Sequence, residues 1–175
     1  MAPVLTPHPT SDGTLQDGRG DFDFLFGTWT VLNQRLAKRL QGCTEWLTFP
    51  ASQEAQPILG GLGNMDCLRT TLPDGRSLEG RTIRVFDPGT RLWSIYWIDN
   101  INCRMFPPVI GRFEGPRGEF FGEDTCDGVP VRVCFVWTVV SPTEARWEQA
   151  FSPDGGRTWE TNWIMTFQRN TRESE

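Results

Sequence analysis

The chain is 175 residues long, the span of one domain built around a single core. Hydrophobic residues make up 38% of it beside 18 glycines, the makeup of a globular protein and not of a disordered or collagen-like one. Lysine and arginine number 17 against 22 aspartates and glutamates, and the resulting net charge of −5 argues against nucleic-acid binding, which needs a basic face.

In chain order, residues 1–20 read as a flexible tail rich in Pro, Thr, Asp and Gly. They show no basic start followed by an apolar run, so no secretory leader is expected. No later stretch reaches the roughly 18 apolar residues of a spanning helix, and the expected setting is soluble and cytoplasmic, away from membranes. Arg19-Gly20-Asp21 spells an adhesion tripeptide, a match that three residues make by chance. The only histidine, His8, falls in the tail, which removes histidine triads, HExxH zinc sites and a buried proximal haem ligand. Neither a metal nor a cofactor is expected.

Residues 21–26 suit a short turn of helix, and beyond them apolar residues recur at every second position. Strands are predicted over 26–40, 44–50, 58–71, 77–86, 93–99, 105–113, 119–125, 131–139, 146–151 and 159–167, about ten in all. The glycine-rich run 57–64 lacks a phosphate-loop lysine and reads as a bent or bulged strand. Residues 105–110 are apolar but broken by Pro107 and Pro108, which suits a loop at a rim. Residues 152–159 match the Asp-box pattern S-x-D-x-G-x-T-W, read as a structural hairpin in which Asp154 accepts backbone N–H bonds. One domain spans 21–169, and 170–175 form a C-terminal tail.

The connections, such as Pro73-Asp74-Gly75, Asp87-Pro88-Gly89 and Asp127-Gly128, are too short for crossover helices, so neighbouring strands must be antiparallel. Closure removes the two edges of such a meander. The predicted fold is therefore all-β: an antiparallel up-and-down β-barrel of about ten strands with at most one short N-terminal helix. A sandwich is the competitor, but it needs a long return connection that the chain lacks. The five cysteines form no CxxC pair and are expected as free thiols, although Cys126 and Cys134 could meet across a hairpin.

Eight Trp and twelve Phe are a heavy aromatic load. Alternation places Trp93, Trp97, Phe135, Trp137, Trp147, Gln149, Thr161 and Trp163 on the apolar faces of the late strands, with Asp99 sharing that parity. A barrel this wide encloses either a packed core or a ligand cavity, and polar groups among the rings favour a cavity lined by those eight residues. The remaining charged residues, Glu148, Arg132 and Arg84, read as an exterior cross-strand set. If that face were the lumen instead, Arg84, Arg132, Glu148 and Asn162 would suit an anionic ligand. Without histidine, acid–base catalysis would fall to Glu148, Asp99, Arg132, Arg84 and Tyr96.

Three segments carry a family resemblance: Phe22-Asp-Phe-Leu-Phe-Gly27-Thr-Trp29, the stretch from Arg84 through Arg91-Leu-Trp93 to Trp97, and Arg146-Trp147 through Phe151 with Glu160-Thr-Asn162-Trp163. Together they resemble an uncharacterised bacterial family with a lipocalin-like (calycin) barrel, over roughly residues 22–169. Gly27-x-Trp29 is similar to the first-strand motif of lipocalins, and the likeness implies that Trp29 closes the bottom of the barrel. The chain departs from secreted lipocalins in showing no signal-peptide pattern and no obvious disulfide pair, and from haem-binding nitrobindin-like barrels in showing no barrel histidine. The leading functional expectation is a binding module holding a small hydrophobic or aromatic molecule. A cofactor-independent isomerase, cyclase or hydratase and a protein-interaction or homodimerisation module are the alternatives.

Overall fold

The computed structural model describes residues 17–171. Ten strands follow in order: β1 Gly27–Leu36, β2 Trp46–Ile58, β3 Gly63–Thr71, β4 Ser77–Asp87, β5 Leu92–Asp99, β6 Val109–Glu114, β7 Arg117–Cys126, β8 Val129–Ser141, β9 Glu144–Ser152 and β10 Glu160–Arg169. Each pairs antiparallel with its neighbours, and β1 pairs with β10, which closes the predicted up-and-down barrel. Helical structure amounts to two 3-10 turns, Asp23–Leu25 in the expected position and Leu59–Gly61.

The second turn corrects the reading of residues 57–64. They are not one bent strand: Pro57 and Ile58 end β2, Gly63 and Asn64 begin β3, and the four residues between them form a tight turn with positive φ at Leu59, Gly60 and Gly61. The β2 strand runs on past the expected end at residue 50, through a stretch whose inward residues, Ala51, Gln53 and Ala55, are small or polar and carry little hydrophobic contrast. The strand expected over 105–113 begins only at Val109, and the proline-broken stretch before it is a loop, as anticipated.

The two ends of the barrel differ. At the end carrying the β2–β3, β4–β5, β6–β7 and β8–β9 connections, the chain before β1 packs into the bore. Phe22 is wholly buried, with its ring 5.0 Å from those of Trp93 and Phe113 and 5.7 Å from that of Phe120. Trp29 donates its indole N–H to the Leu25 carbonyl at 2.8 Å, while Trp93 donates to Gly18 at 2.9 Å. The Arg169 guanidinium lies 4.3 Å from the Trp29 ring and donates to the carbonyls of Phe24 and Phe26. These contacts seal the end that the Gly-x-Trp motif was expected to close. They also hold residues 17–20 of the anticipated tail against the barrel; residues 1–16, His8 among them, and 172–175 lie outside the described residues.

The 152–159 hairpin forms as read. Asp154 accepts from the backbone N–H groups of Arg157 and Thr158 at 3.0 and 2.9 Å, and from the hydroxyls of Ser152 and Thr158. These hydrogen bonds, led by the Thr158 hydroxyl, hold its carboxyl far below the usual carboxylate range. The cysteines are free, and Cys126 and Cys134 do not meet: their cross-strand partners are Val129 and Phe121.

Candidate functional site

At the other end, where the β1–β2, β3–β4, β5–β6, β7–β8 and β9–β10 connections lie, the bore opens into a cavity of about 680 Å³. That volume is within the usual range for small-molecule pockets. One wall is aromatic and comes from β8, β9 and β10. The Phe135 and Trp147 rings meet edge-on at 4.9 Å, and Trp147 meets Trp163 at 5.8 Å. Facing them are Leu68, Leu78, Ile95 and Trp97. A Cβ on Gly80 would stand 1.9 Å from the Trp97 ring, so the glycine allows this indole to lie flat against β4 and leaves the bore open. The Trp97 indole N–H donates to Asp99 at 2.7 Å.

Six of the eight residues predicted to line a lumen, Trp97, Phe135, Trp137, Trp147, Gln149 and Trp163, stand on this cavity wall. Two do not. Trp93 belongs to the sealed end, packed on Phe22 and Phe86. Thr161 is exposed on the outer face, because a bulge at Asn162 breaks the alternation between the Thr161–Ala150 and Trp163–Gln149 pairs. The extra residue, Asn162, turns inward and accepts a hydrogen bond from Gln149 at 2.8 Å.

The residues weighed for acid–base work scatter. Glu148 pairs with Arg146 at 3.1 Å on the outside, Arg132 donates to Gly155 in the Asp-box turn, and Tyr96 stands on the outer parity of β5. Arg84 corrects the expected exterior set: it is 2% exposed and inside. The β4 strand misleads because both its parities carry apolar residues, Leu78 and Phe86 inward, Ile83 and Val85 outward. Asp99 does face the lumen, where it accepts from the backbone N–H groups of Ile101 and Asn102 and from the Asn102 amide. Burial opposes its ionisation, yet these bonds and the one from Trp97 outweigh burial and hold the Asp99 carboxyl below the usual range. These bonds favour its ionised form.

A buried ion pair at the cavity floor escaped sequence reading. The Arg84 guanidinium meets Asp66 at 2.6 Å and donates to Asn64 at 2.9 Å, lying 5.0 Å from the Phe22 ring and 5.6 Å from the Trp137 ring. Its signal was present in the chain: the turn at Pro73-Asp74-Gly75 pairs residues equidistant from Asp74, which sets Asn64 opposite Arg84 and Asp66 opposite Thr82. Close by, the Gln53 side chain is 5% exposed, lines the cavity, and its amide nitrogen has no hydrogen-bond partner among the described residues.

No protein-family model and no curated protein matches this chain. Among solved structures it is similar to a redesigned β-barrel, b11L5F_LGL, at 16% identity and a TM-score of 0.48, covering 85% of this chain and 94% of that one. A de novo designed fluorescence-activating β-barrel matches at 16% identity and a TM-score of 0.47 over 85% and 95% of the two chains. A redesigned barrel bound to DFHBI, mFAP0, matches at 18% identity and a TM-score of 0.43 over 83% and 99%.

Proposed function

We propose that this protein is a lipocalin-like binding module that takes one small hydrophobic or aromatic molecule into its lumen. The observation that carries the reading is the asymmetry of the bore: aromatic rings pack it shut at one end, and at the other they wall an open cavity of about 680 Å³. Apolar walls with a few fixed polar groups bury most of a ligand's surface and orient it. Trp97, Phe135, Trp137, Trp147, Gln149 and Trp163 are the wall residues assigned to ligand contact in this reading. The outer face carries charged pairs, Arg69 on Glu79 across β3 and β4, and Arg81 on Glu79 and Arg117 on Glu119 along single strands, which favours a barrel standing in water.

The test is extraction of the purified protein under denaturing conditions followed by mass spectrometry, beside titration of tryptophan emission with small aryl and acyl compounds. A stoichiometric co-purifying molecule or saturable quenching is the expected result. Silence in both assays refutes a ligand-holding lumen.

A further inference from the structure

Arg35, at the end of β1, and Arg76 line one side of the cavity mouth, and Lys38 and Arg39 come from the loop after β1, Arg39 reaching over the Phe151 ring of β9 at 5.6 Å. Glu123, Asp124 and Asp127 stand on the β7–β8 side, where Asp124 pairs loosely with Arg104 at 3.9 Å. On the cationic side the nearby carboxylates are already engaged: Asp74 holds Arg76 at 2.7 Å, and Glu160 accepts the Leu40 backbone N–H at 2.7 Å. Arg35 is different. Its side chain is half-buried and lines the cavity, and among the described residues its guanidinium has neither an ion pair nor a hydrogen bond. It is held only over two rings, 5.2 Å from Trp163 and 5.7 Å from Phe49.

A guanidinium partly withdrawn from water gives up hydration that a bound anion would replace. Burial and repulsion from Arg39 and Arg76 oppose its charge, and the attraction of Asp74, already paired with Arg76, only partly offsets them. Trp163, over which it lies, is also the β10 end of the aromatic row formed with Trp147 and Phe135. An anion at Arg35 would therefore continue directly into an apolar body among those rings. The deeper cation, Arg84, offers no such vacancy, because Asp66 already neutralises it.

We propose that the ligand is a hydrophobic carboxylic acid, its carboxylate paired with Arg35 at the mouth and its body among Trp163, Trp147 and Phe135. A carboxylate fits best because its two coplanar oxygens match the planar guanidinium fork. This rests on the lumenal binding reading above and narrows its ligand class.

The experiment compares matched probes that differ only in the head group: phenylbutanoic acid against phenylbutanamide, and decanoic acid against decanamide. Binding is followed by tryptophan emission at neutral pH. The acids are expected to bind at least about tenfold tighter than the amides, the effect of a hydrogen bond to a charged partner. Arg35→Gln should bring each acid down to the level of its amide and leave the amide unchanged, with circular dichroism checking the fold. Arg132→Gln, on the outer face, should keep the preference. Arg35→Lys should keep only part of it, because the point charge survives without the fork. Equal affinity for acid and amide in the wild type overturns the carboxylate assignment while lumenal binding stands, and this comparison decides even if Arg35→Gln does not fold. A preference that survives in a folded Arg35→Gln protein also overturns it. Binding of neither acid nor amide removes both readings.

Discussion

Removing one member of the Arg84–Asp66 pair should destabilise the barrel more than removing both. The side chains are 3% and 0% exposed and meet at 2.6 Å. In Arg84→Met, a side chain of similar reach fills most of the space between Phe22 and Trp137, but the Asp66 carboxylate stays buried without its counter-charge and with no hydrogen-bond donor among the described residues. An orphaned charge of this kind costs about 3–5 kcal/mol. For a chain of this size that is a fall in Tm of roughly 6–20 °C. Asp66→Leu leaves the guanidinium buried with only Asn64 to bond and should cost a similar amount. The double variant Arg84→Met/Asp66→Leu removes both charges and should lie within about 1–2 kcal/mol of the wild type. Urea unfolding of the four proteins at neutral pH, read by tryptophan emission and circular dichroism together, measures the cycle. If the double variant loses the sum of the two single losses, the charges are not coupled and the account of the cavity floor is wrong.

Other expectations follow from single contacts. Gly80→Ala should push the Trp97 indole off β4 into the bore, costing about 1–3 kcal/mol from overpacking and weakening lumenal binding; an unchanged emission spectrum and unchanged ligand affinity would contradict the flat indole. Arg169→Met keeps an apolar stem over Trp29 but removes the donors to Phe24, Phe26 and Pro142, and should cost about 1–3 kcal/mol in denaturant unfolding. Burial, with repulsion from Asp17 and Asp23, pushes the Asp21 carboxyl up to about 6. The folded state then holds more protons than the unfolded one between pH 4 and 6, so Asp21 lowers stability as pH rises through that window. Asp21→Asn should raise Tm at pH 7.5 but not below about pH 4, and an identical Tm for variant and wild type at both pH values would remove Asp21 from the account.

Hydrophobic alternation, short turn sequences and the absence of crossover lengths were enough to determine an all-β meander of ten strands that closes on itself. The period of two is set within one strand by the pleat, and each turn's reach is set by a few residues, so both are local. The aromatic parity of Trp97, Phe135, Trp137 and Trp147 was legible for the same reason, since no bulge interrupts β5 or the part of β8 and β9 that carries them.

Only the tertiary structure decided what closure does to these rows. A bulge at Asn162, whose cause is pairing with β9, sends Thr161 out and Asn162 in. In β4, apolar residues on both parities left Arg84 ambiguous until β3 supplied Asp66 and Asn64 beside it. The N-terminal segment decided which rings fill and which rings line: Phe22 enters one end and takes Trp93 into solid packing, while Trp97, four residues along the same strand face, remains on the wall of an open cavity. Arg35, without an ion pair among the described residues, belongs to the same class of fact. Its sequence neighbours say nothing of partners, because charge pairing across a barrel depends on register and shear accumulated over every strand between the residues concerned.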